Sequence, residues 1–81
     1  MRSRLRIGVI TTREGEEVAG RVASRVYVAE SAEEARNALR EALEWDVDIL
    51  IVDSVFFGEL REDVYRIRRE RHFPLIVEGG F

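Results

Sequence analysis

The run Asp48-Ile49-Leu50-Ile51-Val52-Asp53 holds four consecutive aliphatic residues, three of them β-branched, between two acids. It does not alternate, so it reads as a strand with side chains buried on both faces, which is the pattern of a central strand in a parallel sheet. Parallel neighbours require crossover connections, usually helical, so helices are expected on either side of this stretch in the sequence. Upstream, Ser31-Ala32-Glu33-Glu34 has capping-box spacing, and Ala35, Ala38, Leu39, Ala42 and Leu43 form one apolar stripe opposite arginines and glutamates. Small side chains on that stripe suit close packing on a flat sheet. Trp45 ends this helix and is expected to act as a lid on the core.

Downstream, a helix is predicted from about Glu59 with Leu60, Val64 and Ile67 inward, ending before His72-Phe73-Pro74 because proline disfavours helix at the residue before it. Leu75-Ile76-Val77 then reads as a strand. At the other end of the chain, Leu5 to Ile10 is a short β-branched run that passes into Thr11-Thr12-Arg13-Glu14, where Thr11 and Glu14 also have capping-box spacing. Val18, Val22 and Ala23 predict a first helix, which Gly15 and Gly20 weaken, and Arg25 to Ala29 predicts the remaining strand. The order is βαβαβαβ. Right-handed crossovers turn it into one α/β domain over residues 1–81, a small three-layer sandwich of Rossmann-like or receiver-like type. A four-stranded parallel sheet of order 2-1-3-4 is expected, because a doubly wound sheet must reverse direction to cover its second face.

With 81 residues, one core is possible and two are not. An apolar share of 46% fills that core and a charged share of 36% solvates its exterior. There is no cysteine, hence no disulfide and no thiolate ligand, and a cytoplasmic location is expected. No apolar run approaches the roughly 18–20 residues of a membrane span. The net charge of −3 is spread along the chain, which excludes the basic footprint that nucleic-acid binding demands.

In such a sheet ligands bind beyond the carboxyl ends of the strands at the point where strand order reverses, here near Thr11, Thr12, Asp53 and Ser54. A phosphate or dinucleotide site needs a glycine-rich turn after the first strand, and Thr11-Thr12-Arg13-Glu14-Gly15 is not one. The acids Glu14, Glu16 and Glu17 would repel an anion there. Asp53 stands where a receiver domain carries its phosphorylated aspartate. Phosphoryl transfer to it would need further acids holding Mg²⁺ at the end of the first strand, and the chain has threonines there and no lysine anywhere. Asp53 is therefore expected to cap the following helix or simply to end the strand. His72 is the only histidine, which leaves no histidine-based metal site or catalytic dyad, and Ser54 and Ser31 lack a base. No catalytic residue, metal or cofactor is expected. Two adjacent aromatics cannot both enter one core, so Phe56, Phe57 and the terminal Phe81 are candidate partner anchors.

With Ile7-Gly8-Val9-Ile10, Tyr27-Val28 leading into Ser31-Ala32-Glu33-Glu34-Ala35, Ile49 to Asp53, and Phe73-Pro74-Leu75-Ile76-Val77, the chain resembles the F subunit of archaeal and vacuolar-type rotary ATPases. The resemblance implies a non-catalytic central-stalk protein without a nucleotide site. It further implies binding to the other ATPase subunits, chiefly the elongated D subunit that forms the axle, and contact with the membrane only through the complex. Members carry a further C-terminal segment, so a shortened or divergent member is expected from an ending at Glu78-Gly79-Gly80-Phe81. The alternative is a degenerate receiver-like or flavodoxin-like regulatory domain that binds a protein or small ligand at the carboxyl edge of the sheet.

Overall fold

The strand that anchors the reading, β3 (Ile49–Asp53), lies inside a four-stranded parallel sheet with β1 (Ile7–Thr11), β2 (Arg25–Val28) and β4 (Leu75–Gly79), in the order β2-β1-β3-β4. The computed structural model describes residues 4–81. The predicted fold class and strand order are both observed. Register aligns Gly8 with Arg25 and Leu50, and Leu50 with Ile76, so these residues share one face of the sheet. Gly8 lies in close approach to this face: a Cβ would stand 3.3 Å from both a Leu50 and a Val47 methyl, which would have to give by a few tenths of an ångström.

That face carries α2 (Ala32–Glu44), α3 (Ser54–Phe57) and α4 (Arg61–Glu70). Their apolar stripes meet the strands in a core built on Ile10, Leu39, Leu50, Val52, Phe56, Leu60, Val64 and Ile76. The capping box of α2 forms with one variation. Ser31 Oγ accepts from the amide of Glu34, and the Glu34 carboxylate accepts from the amide of Glu30, one residue ahead of the cap. Such a cap contributes about 1 kcal/mol. The expected helix from Glu59 begins instead at Arg61, because α3 has already used the turn after β3, but Leu60, Val64 and Ile67 are buried as predicted.

The opposite face is covered by α1 (Glu16–Gly20) alone, a consequence of chirality. In this strand order only the crossover from β1 to β2 moves toward that side, while the next two move the other way. Val9 is fully buried on this face, yet Ile49 and Ile51 are only half-buried. This corrects the expectation that β3 is buried on both faces. A second correction concerns the start of α1: Thr11 and Glu14 form no capping box. Thr12 stands at the N-cap of a 3₁₀ turn (Arg13–Gly15) and makes no side-chain bond to it. The intervening turn rotates the helix so that Gly15 and Ala19 face the sheet, and Val18 and Val22 are exposed.

Two features fasten the periphery. At the amino edge of the sheet, the Arg6 amide donates to Asp48 Oδ2 (2.7 Å) and its guanidinium to the Trp45 carbonyl (2.7 Å), while the Arg25 guanidinium lies 4.4 Å from the centre of the half-buried Trp45 ring. Trp45 is thus the expected lid. Between α2 and α4, Asp63 accepts from Arg36 (3.1 Å) and Arg66 (2.8 Å). Partial burial raises the Asp63 carboxyl pKa, but the two arginines outweigh it and leave the pKa below the ordinary 3.8. A depressed carboxyl stabilises the fold above its unfolded pKa and loses that contribution as pH falls through the folded value. Asp63→Asn is accordingly expected to cost about 0.5–1 kcal/mol at pH 7, the range of a favourable surface pair. In urea titrations the difference from the parent should shrink as pH falls below the ordinary carboxyl value and vanish once the lowered pKa is passed; a difference that persists after Asp63 is protonated would refute the ion-pair account.

Candidate functional site

The carboxyl edge of the sheet brings the four predicted residues near one another but gives them separate tasks. Thr11 ends β1 fully buried, and its hydroxyl donates to Asp53 Oδ2 at 2.6 Å. The second oxygen, Oδ1, accepts from the Val55 amide at 3.0 Å and so caps α3. Asp53 is 4% exposed. With both oxygens engaged and a neutral hydroxyl as its closest partner, the carboxylate ties β1 to β3 and starts α3. It is not presented to a ligand. Ser54 turns away and donates to the Gly79 carbonyl at 3.1 Å, joining α3 to β4.

Thr12 alone reaches an open depression of about 350 Å³, whose walls include Arg13, Glu14, Glu30, Val55 and Phe56. Neither Thr11 nor Asp53 lines it. Arg13 pairs with Glu30 at 3.3 Å at the surface, and such a pair contributes little. Among the described residues, no group of three or more histidine, cysteine or acidic side chains converges in a way that could hold a metal ion. His72 is exposed beyond the end of α4.

The aromatic candidates divide as well. Phe56 is 4% exposed and belongs to the core, so as a surface anchor it is corrected; the start of α3 at Ser54 turns this position toward the sheet. Phe57 packs half-buried against the same core. Phe81 is 36% exposed and lies on the opposite face, where its ring approaches Gly79 and its Cβ approaches Gly15. Either glycine would clash with Phe81 or with Thr11 and Ile51 if it bore a Cβ, with separations down to 2.3 Å.

The sequence reading missed the surface beside Phe81. Register places Leu75 and Val77 on the same face as Ile49 and Ile51, and both are exposed. The available signal was the crossover rule itself: three crossovers in the order 2-1-3-4 leave half of one face bare. The carboxyl edge with its closed Thr11–Asp53 pair and the bare apolar half-face belong to one parallel α/β sandwich.

The family model for the ATP synthase (F/14-kDa) subunit matches residues 7–78, from the first residue of β1 almost to the end of β4, and the chain belongs to that family. It is therefore a subunit of an ATPase complex. No curated protein and no solved structure matches the chain. Among the described residues, no helix is long and apolar enough to cross a membrane.

Proposed function

We propose that the chain is a non-catalytic central-stalk subunit of an archaeal or vacuolar-type rotary ATPase, which binds the coiled-coil axle (D) subunit and helps couple ATP turnover to rotation and ion transport. The observation that carries this reading is the family match across all four strands. The local chemistry is consistent with it. The turn after β1 bears Glu14, Glu16 and Glu17 where a nucleotide-binding chain needs glycine amides free to meet a phosphate. Phe57 and Phe81 are candidate contacts for the neighbouring subunits, and attachment to the membrane is indirect, through the complex.

Affinity capture of the tagged chain from its native cells tests the proposal. The expected result is an elongated helical axle subunit in equimolar amount together with the catalytic headpiece. Recovery of a sensor kinase or a metabolic enzyme, with no ATPase subunit, would overturn it in favour of a regulatory domain.

A further inference from the structure

We infer that the free edge of β2 is a docking site for an extended segment of another protein in which basic residues alternate with aliphatic ones, an inference that goes beyond the central-stalk reading and does not rest on it. The two edges of the sheet differ. In the observed register the amides of Leu75 and Ala29 donate to the carbonyls of Asp48 and Thr11. Alternation along each strand then leaves the backbone groups of Ile76 and Glu78 directed outward on β4, and those of Val26 and Val28 directed outward on β2. On β4, the Arg68 guanidinium donates to the Ile76 carbonyl at 2.7 Å and blocks an added strand. On β2 nothing comparable is present: among the described residues, side-chain hydrogen bonds to this part of the chain involve Ser24 and Glu30, and none reaches Val26 or Val28.

The flank of α2 beside this edge sets the chemistry of the occupant. Glu34, Asn37, Ala38 and Glu41 line an open depression of about 320 Å³ together with Tyr27 and Val28. Both glutamates are exposed, and among the described residues neither has an ion-pair partner. Side chains alternate across a strand, so a segment paired with β2 places every second residue under α2 and the others beside Val26 and Val28, which are half-buried on the α1 face. Two turns of helix set Glu34 and Glu41 about 10 Å apart. Lysines or arginines two positions apart on a strand are about 7 Å apart, and their flexible side chains reach both carboxylates. The unpaired backbone groups select a strand over a helix, whose own amides and carbonyls are already bonded to each other. A second copy is opposed by charge. Each carries a net −3, and the single cation of its β2, Arg25, lies over the Trp45 ring at 4.4 Å.

The test uses the full chain and a capped synthetic peptide that alternates lysine and valine. At saturation, hydrogen exchange of the Val26 and Val28 amides should slow about 10-fold or more, while the Glu78 amide on the opposite edge should change less than about 2-fold. A peptide with glutamate in place of lysine should bind about 10-fold more weakly or worse, and Glu41→Lys should weaken binding of the lysine peptide about 10-fold. Val28→Pro removes an outward N–H and no bond to β1, so the circular dichroism of the chain should be kept while binding falls about 10-fold or more. If the proline variant fails to fold, the exchange measurement on the unmutated chain decides. Unchanged exchange at Val26 and Val28, equal binding of the two peptides, full affinity in a folded Val28→Pro, or protection of both amides by self-association without peptide would each overturn the inference. So would an absence of binding by the lysine peptide.

Discussion

Replacing Leu50 with alanine is expected to lower the stability of the chain by about 3–5 kcal/mol, the upper half of the range for such substitutions in a core. Leu50 is fully buried at the middle of β3, aligned with Gly8 on one side and Ile76 on the other. The loss should fall high in the range because the neighbours cannot close the hole. Gly8 has no side chain to extend, and the α2 residues facing the sheet include Ala35, Ala38 and Ala42. Backbone hydrogen bonding in the sheet holds the strands at fixed spacing, so collapse of the cavity is resisted on that side as well. A domain of this size has roughly 4–12 kcal/mol to lose, so the variant sits near the limit of folding. A urea titration followed by circular dichroism should show the midpoint fall by about 2–3 M. A fall of less than about 0.5 M would mean that the residue is not part of the packed core.

The second large effect is expected at the buried pair on the carboxyl edge. Thr11→Val removes the hydroxyl donor and strands one oxygen of a carboxylate out of reach of water, at a cost of about 1–3 kcal/mol. Asp53→Ala removes the cap of α3 as well as the acceptor for Thr11, and about 2–4 kcal/mol is expected. Once either partner is gone the other has less to lose. The double variant is therefore expected to cost less than the sum of the singles by about 1–2 kcal/mol, within the range measured for residues in one hydrogen-bonded unit. Additive losses in a double-mutant cycle would show that the 2.6 Å contact carries no coupling. Gly15 belongs to this unit too, because a Cβ at that position would stand 2.3 Å from the Thr11 hydroxyl oxygen.

How far these features were legible in the sequence depended on the range over which each is decided. The strand at Ile49–Asp53, the Ser31 cap and the alanine stripe of α2 are set by residues within a turn or two of one another and appear as read, although the second face of that strand is only half-buried. The strand order followed from chirality and the need to cover two faces. The Thr11–Glu14 spacing failed because the competing acceptor, Asp53, lies 42 positions away, and a local pattern contains no information about it. The choice between Phe56 and Phe57 turned on where α3 begins, which the Asp53 cap decides. Leu75 and Val77 look like ordinary strand residues in isolation. Only the number of crossovers on each side of the sheet shows that nothing in the described chain covers them.

The position of Trp45 makes the molecule its own reporter. As the sole indole in the chain, held at the amino edge between the arginines of β2 and the β1 approach, it governs the intrinsic emission at long excitation wavelengths. It sits on the α2 side of the sheet, whereas Leu75 and Val77 face the other way. Loss of the fold therefore alters the light it emits, while occupancy of the far face leaves that light nearly constant. Unfolding can therefore be followed without a label whether or not that far face is occupied.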